Sequence, residues 1–255
     1  WKGRDRASIL TLGGRIIVPV VYQGRWLAVT GTTLRGAADL IYRDGMFFLA
    51  VVIDVPEPPK GPAPDEWLGV DLGIVNIATD SDGNTYSGKA VRAIRRRNRQ
   101  LRKRLQSKGT KSARRLARKH RRKESRFARD VNHVISKKIV REAEGTGRGI
   151  KLEDLSGIRD RITVRKAQRT DAHSWSFRQL RTFITYKAAL HGVNVTLVDP
   201  RNTSRECPEC GHISKRNRPK RDVFCCERCG LAGPADHIAA RNISGRAAVM
   251  QPDAA

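Results

Sequence analysis

Apolar residues recur along this chain with more than one period, and each period predicts a different kind of element. Between Ala7 and Val55 they come in short β-branched or aromatic runs at Ile9, Ile16–Val21, Trp26–Val29 and Phe47–Ile53. Gly13-Gly14, Gln23-Gly24 and Asp44-Gly45 punctuate these runs as turns. Short strands at this spacing predict a small barrel or an open sheet. The bland form is a generic β scaffold; the sharper one is an oligonucleotide-binding-like barrel. The proline-dense run from Pro56 to Pro64 then interrupts regular structure, because proline lacks the N–H that ladders and helices require. Residues 1–55 therefore read as one β-rich domain and residues 56–66 as a linker.

Beyond the linker the pattern changes. Trp67–Asp71 is a buried strand, Val75–Thr79 its hairpin partner, and Ser81-Asp82-Gly83-Asn84 the next turn. From Lys89 the apolar positions move to helical spacing: Val91, Ile94, Leu101 and Leu105, then Leu116, His120, Phe127, Val131, Val134 and Ile135. Lys108-Gly109-Thr110 breaks that spacing, which predicts two long helices in a hairpin over residues 89–140 with a narrow apolar seam. Gly149–Glu153 is a strand ending on a carboxylate, residues 157–172 a polar loop, Ser174–Leu190 a helix and Val193–Val198 a strand. A short helix runs from about Asp236 to Ile243, and residues 246–255 read as a flexible tail. Strands alternating with helices place residues 67–245 in the α/β class.

Charge adds the first functional constraint. Lys and Arg number 51 against 25 Asp and Glu, a formal net charge of +26. Self-repulsion on that scale calls for a polyanion, and nucleic acid is the usual one. An anionic membrane competes, but no apolar run reaches the length of a spanning helix and no signal peptide opens the chain, so the reading is a protein of the cell interior. The chain opens at Trp1 without a Met and enters β structure at once, which reads as a fragment. Between Lys89 and Arg129, Glu124 is the sole acid. The candidate nucleic-acid contacts are Arg95, Arg96, Arg97, Arg99, Arg102, Lys103 and Arg104 on the first helix, and Arg114, Arg115, Arg118, Lys119, Arg121 and Arg122 on the second.

All five cysteines lie between Cys207 and Cys229. Cys207-Pro208-Glu209-Cys210-Gly211 and Cys226-Glu227-Arg228-Cys229-Gly230 are two copies of one knuckle, fifteen residues apart. Two thiolates two residues apart can face one metal, and the following Gly allows the tight turn around the sulfurs. The spacing predicts one four-cysteine zinc site over residues 203–231, structural because four thiolates close the coordination shell. Cys225 is expected as a packed small residue, with substitution for Cys226 as a ligand the alternative, and His212 and His237 find no vacancy.

Three acids stand against apolar sequence in a chain short of acids. Asp71 lies in Gly-Val-Asp-Leu-Gly, Glu153 ends Ile-Lys-Leu-Glu, and Asp236 opens the last helix. An unpaired charge there is expensive. Mg²⁺ ions, which favour carboxylate oxygens, resolve that cost, and two of them can steady the attacking and leaving oxygens of a phosphoryl displacement. Taken singly, Glu153 could equally pair with an arginine and Asp236 favour a helix N-terminus.

The order Gly69-Val-Asp-Leu-Gly-Ile74, Leu152-Glu-Asp-Leu155, Thr203-Ser-x-x-Cys207, the two knuckles and Asp236-His-Ile-Ala-Ala-Arg-Asn-Ile243 resembles the transposon-encoded TnpB proteins and the miniature type V CRISPR effectors. The resemblance covers roughly Trp67–Gly245. It implies an RNase H-like core of the RuvC type, with an arginine-rich helical hairpin, a zinc-ribbon insertion and part of a wedge domain at the start. It implies an RNA-guided DNA endonuclease whose partners are a guide RNA and target DNA in a prokaryotic cytoplasm, at the nucleoid. No small-molecule ligand is expected. Asp71, Glu153 and Asp236 then correspond to the three catalytic acids holding two Mg²⁺ (or Mn²⁺), and Cys207, Cys210, Cys226 and Cys229 to the zinc ligands. Two other classes stay open: a non-catalytic zinc-ribbon nucleic-acid-binding protein, and a conventional DNA-joining transposase, since RNase H-like folds serve both nucleases and transposases.

Overall fold

A computed structural model describes residues 6–21, 33–54, 58, 63–155 and 177–249. The chain divides into two compact units, residues 1–57 and 58–255.

In the first unit, β1 (Arg6–Thr11) pairs antiparallel with β2 (Gly14–Pro19), and β3 (Thr33–Arg43) with β4 (Met46–Asp54). Asp44 and Gly45 turn the second hairpin with φ of 53° and 83°, the positive angles that make Asp-Gly the preferred pair in a two-residue loop. Tyr42 and Phe47 face each other across it with ring centroids 4.8 Å apart. The strand β3 has no counterpart in the hydrophobic pattern. Its Gly-Ala-Ala stretch has low strand propensity, and the register shifts between Leu34 and Ala38; pairing with β4, not local preference, makes it a strand. Among the described residues the two hairpins share no ladder. The expected strand at Trp26–Val29, the turn at Gln23-Gly24 and most of the proline-dense run lie outside the described residues.

The second unit is built on a mixed five-stranded sheet of β5 (Trp67–Asp71), β6 (Asn76–Asp80), β7 (Thr85–Ser87), β8 (Gly149–Glu153) and β9 (Val195–Val198). The spatial order is β7-β6-β5-β8-β9. The first three strands form an antiparallel meander, and β8 and β9 add in parallel to β5. The break at Lys108-Gly109-Thr110 has a plain mechanism. α1 (Lys89–Lys108) ends on Gly109 in the left-handed conformation, and α2 (Lys111–Gly145) starts with the Thr110 hydroxyl accepting from the Ala113 N–H at 3.2 Å.

Strand periodicity divides the sheet into two faces. Leu68 and Val70 of β5 and Ile150 and Leu152 of β8 turn to one side and are fully buried. Against them pack Ile135, Ile139, Val140 and Ala143 of α2, and Leu180, Ile184 and Ala188 of α3 (Phe177–Leu190). The seam of the helical hairpin is narrower than its apolar pattern predicts, since Leu116 and Val134 are 41% and 56% exposed. Both fall beyond the buried stripe.

The opposite face is covered by α4 (Ala235–Gly245). Gly69 makes the close approach possible: a Cβ there would lie 2.1 Å from the Ala240 carbonyl oxygen and 2.5 Å from the Ser244 nitrogen. Lys151, on the same face, donates from Nζ to the Ser244 carbonyl at 2.9 Å, near the C-terminus of α4, where a cation suits the helix dipole. Residues 246–249 turn back along β9 rather than fraying: Ala248 bridges antiparallel to Val198, and the Val249 N–H donates to the Leu197 carbonyl at 2.8 Å. Between β9 and α4 sits the cysteine-bearing insertion, with a small hairpin of β10 (Val223–Cys225) and β11 (Ala232–Pro234).

Candidate nuclease site and cysteine centre

The alternation that buries Leu68 and Val70 sends Gly69 and Asp71 to the α4 face. The same rule sends Lys151 and Glu153 there from β8. Since β5 and β8 are parallel with Val70 opposite Leu152, the next residue of each strand is an acid. These two acids therefore lie side by side on strands about 4.8 Å apart. Asp236 enters from above, in the first turn of α4, where a carboxylate suits the dipole. The structure thus brings all three predicted acids to one place, although 82 residues separate Asp71 from Glu153 and 83 separate Glu153 from Asp236.

Electrostatics register the crowding. Burial first, then the like charges of Glu153 and Asp236, push the Asp71 carboxyl up to about 8, against a smaller pull from Arg218. Burial also raises Glu153, while the Thr203 hydroxyl and Arg246 act the other way. Asp71 nevertheless keeps a solvent-accessible rim, so ions and water can reach it. An acid that keeps its proton near neutral pH beside two further carboxyl groups is a site short of positive charge, and its hard oxygen donors are those divalent cations take.

Three partners of these acids escaped the sequence pattern. Asn76 donates from Nδ2 to Asp236 Oδ2 at 2.9 Å. Arg218 approaches the other oxygen of Asp236 at 3.7 Å, while its Nε and Nη2 donate to the Arg221 carbonyl. Thr203 donates to Glu153. All three are long-range contacts with no periodic signature. For Thr203 the one available cue was its place just ahead of the first knuckle.

The four predicted cysteines converge more tightly than the acids do. Cys207, Cys210, Cys226 and Cys229 have their sulfurs within 4.8 Å of one another and form a cluster that can hold a metal ion. Gly211 and Gly230 follow the knuckles with φ of 68° and 77°, the conformation that needs a residue without Cβ. Their N–H groups donate back to the Cys207 and Cys226 carbonyls at 2.9 and 3.0 Å. The thiols do not ionise alike. Burial opposes the charged form of Cys226, but the backbone amides of Cys229 and Arg228 and the neighbouring thiols bring it down to about 6. Cys229 gains from the Leu231 amide, yet Cys207, burial and the remaining thiols push it up to about 12. Cys225 is exposed on β10, not packed, and stands outside the cluster. The side chain of Asn217 is buried and ties the insertion together, donating to the Arg205 and His212 carbonyls and accepting from Glu227 N–H.

On the helical hairpin, Arg96, Arg97, Arg99, Lys103, Arg104, Arg114, Arg115, Arg118, Lys119 and Arg121 are exposed. Arg95 and Arg102 are half-buried, and Arg102 pairs with Glu124 at 3.3 Å. The side chain of Arg122 lies outside the described residues. Among the described residues no helix is long and apolar enough to cross a membrane.

Residues 50–156 match the OrfB_IS605 family, described as a probable transposase, and residues 177–243 match the Cas12f1-like TNB domain. A TnpB-like protein of Methanocaldococcus jannaschii is 31% identical over 189 residues, spanning 69% of this chain and 67% of that protein. The chain belongs to the TnpB-like family. A CRISPR-associated endodeoxyribonuclease Cas12f1 of Sulfoacidibacillus thermotolerans is 41% identical over 119 residues, 46% of this chain and 27% of its own length. Another, from Syntrophomonas palmitatica, is 29% identical over 71% of this chain and 39% of its own. This TnpB-like chain thus spans well under half the length of these Cas12f1 relatives. Its fold is similar to part of the protein chain in a CRISPR-Cas12f ternary complex determined by cryo-EM, with a TM-score of 0.61 at 21% identity over 83% of this chain and 45% of that one.

Proposed function

We propose that this TnpB-like chain carries the catalytic half of an RNA-guided DNA endonuclease that hydrolyses phosphodiester bonds. One observation carries the reading: Asp71, Glu153 and Asp236 meet on one face of the sheet, where burial and then the two neighbouring carboxylates hold the proton on Asp71 up to about 8. We read the meander followed by two parallel strands as an RNase H-like core of the RuvC type, and residues 1–55, 56–66 and 67–249 as wedge part, linker and nuclease domain. Relatives named endodeoxyribonucleases, and a solved Cas12f1 complex with sgRNA and target DNA, support guide RNA and target DNA as partners. A prokaryotic cytoplasmic location follows.

The residues divide the work. Asp71, Glu153 and Asp236 would hold two Mg²⁺ ions, Asp71 serving both, Glu153 one and Asp236 the other; Mn²⁺ would be the natural substitute. Bound there, the two ions would supply charge stabilisation for the attacking and leaving oxygens of an in-line displacement. Asn76 and Arg218 hold Asp236 in one orientation. The Arg218 guanidinium adds a fixed positive charge beside the acids, where a phosphate group would otherwise meet only like charge. The exposed arginines and lysines of α1 and α2 grip phosphates of the guide or of the guide–target duplex, while base pairing reads the sequence.

The cysteine cluster is a structural zinc site. Four sulfurs each about 2.3 Å from one tetrahedral zinc lie about 3.8 Å apart. The Cys207–Cys229 and Cys210–Cys226 sulfurs are 3.5 and 3.6 Å apart.

The test is Asp71→Ala in the guide-loaded protein with Mg²⁺. Cleavage is expected to vanish while RNA binding persists; cutting by the variant at the wild-type rate refutes the assignment. The probable-transposase description of the matching family favours one rival, DNA joining. Strand-transfer products from labelled transposon ends would support that rival, and copurified RNA of defined sequence the guided nuclease.

A further inference from the structure

The segment that leads from β9 into the first knuckle passes directly over Glu153. Thr203, only 4% exposed, sits in this turn, and its Oγ1 donates to Glu153 Oε1 at 2.5 Å. Glu153 is itself 8% exposed. A hydroxyl carries a single proton. The alternative acceptor, the Pro200 carbonyl, is 3.1 Å away, so the shorter, charge-assisted contact takes it. The turn is held in turn by α4. Asn242 uses both protons of one amide on it, donating to the Thr203 carbonyl at 2.7 Å and the Glu206 carbonyl at 2.8 Å. Arg246 adds a bond to the Asp199 carbonyl at 2.7 Å and an ion pair with Glu206. Cys207 is the very next residue. A buried chain of contacts therefore runs from the helix that starts with Asp236, through the entry of the cysteine insertion, to the acid on β8.

We propose that Thr203 is a positioning residue for Glu153, fixing one carboxylate oxygen so that the other stays presented toward Asp71, with Asn242 and the cysteine insertion holding Thr203 in place. The proposal rests on the reading of the three acids as a divalent-cation site. Groups that orient a metal ligand without touching the metal carry much of a site's affinity, typically about tenfold to a hundredfold. With valine at 203 the shape survives and the donor does not. Glu153 Oε1 is then a buried acceptor without its donor, and the carboxylate turns to find another, Arg246 being at hand. The site loses the preset orientation rather than the ligand.

The experiment is a Mn²⁺ titration of the 255-residue chain followed by electron paramagnetic resonance, with zinc content and melting temperature measured on the same samples. Wild type is expected to bind Mn²⁺ at a site that Asp71→Ala removes. Thr203→Val is expected to weaken that binding about tenfold to a hundredfold with zinc content unchanged, and Thr203→Ser to return it to within about threefold of wild type. In cleavage assays the Mg²⁺ concentration for half-maximal rate should rise in Thr203→Val, with the rate recovering at saturating Mg²⁺. If valine does not fit the turn, Thr203→Ala makes the same comparison. Wild-type affinity in the valine and alanine variants overturns the proposal. So does equal loss in valine and serine, which would mean that the hydroxyl is not the cause, or a fall in melting temperature alone. Absence of any Mn²⁺ site that Asp71→Ala removes would instead refute the reading of the acids, and this proposal with it.

Discussion

Replacing Asp71 by asparagine tests the crowded-acid argument without any nucleic acid. The Asp71 carboxyl lies at about 8 in the folded protein against 3.8 for the free side chain. In between, the folded chain keeps a proton that the unfolded chain has released, so stability is highest below about 3.8 and falls as pH rises, the loss being complete above about 8. Each pH unit in that window costs about 1.4 kcal/mol, and the whole window on the order of 5 kcal/mol. That is a large share of the roughly 5–15 kcal/mol of a typical domain. The asparagine side chain cannot ionise. Without Mg²⁺, Asp71→Asn is therefore expected to match wild type near pH 4, to exceed it increasingly up to about pH 8, and to keep a constant advantage from there to pH 9. The assay is urea unfolding followed by circular dichroism, at pH steps between those limits. Buffers are freed of Mg²⁺ by resin treatment, because a chelator in solution would strip the cysteine centre as well. The other ionisable groups are common to both proteins, so the difference between them isolates Asp71. Added Mg²⁺ should then stabilise wild type by mass action and leave the variant unmoved. Parallel stability curves for the two proteins across the pH range would refute the reasoning, since Asp71 would then ionise as freely folded as unfolded.

Three further outcomes follow from the same geometry. Gly69→Ala places a Cβ 2.1 Å from the Ala240 carbonyl oxygen; α4 must lift from the sheet, which should cost about 1–3 kcal/mol or more in urea unfolding and abolish cleavage as Asp236 moves with it. Cys229→Ser should lose the bound metal by elemental analysis, speed hydrogen exchange over residues 203–234 and cut activity, because Asp236 lies seven residues beyond Cys229; full cleavage in this variant would reduce the centre to a satellite. Replacing Arg96, Arg97, Lys103 and Arg104 by Gln should flatten the salt dependence of duplex binding by up to about 3.6 in logarithmic slope, about 0.9 for each phosphate no longer neutralised. A salt slope equal to that of wild type in filter-binding titrations would remove these residues from the interface.

How legible the site was depends on the range of each signal. The helix break at Gly109, the glycines behind each knuckle and the Asp44-Gly45 turn could be read directly because each needs a backbone conformation that only a few residues supply. The strand β3 could not, because a low-propensity Gly-Ala-Ala run becomes extended only by pairing with β4. Val134 shows the limit of periodicity: it continues the helical spacing yet faces solvent, since where the covering face ends depends on its neighbours. Cys225 failed for the opposite reason, as adjacency to Cys226 says nothing about the side of β10 it occupies.

The three acids lie between these extremes. The alternation in Leu68-Gly69-Val70-Asp71 and in Ile150-Lys151-Leu152-Glu153 already puts each acid on the face opposite the core. The register that sets the two acids side by side does not show in either segment, because it is made by parallel strands whose connection runs through the two long helices α1 and α2. Thr203, Asn76 and Arg218 depend on a further step, the docking of the cysteine insertion and α4 on that face. This changes the insertion's standing. Spacing alone makes it a metal-stapled module attached near one acid. In the fold, its entry turn donates to Glu153, Arg218 reaches Asp236 from the span between the knuckles, and its exit strand β11 leads directly into the helix that carries Asp236. A module held at both ends by the acids cannot move without moving them, so the cysteine cluster and the carboxylates form one mechanical unit.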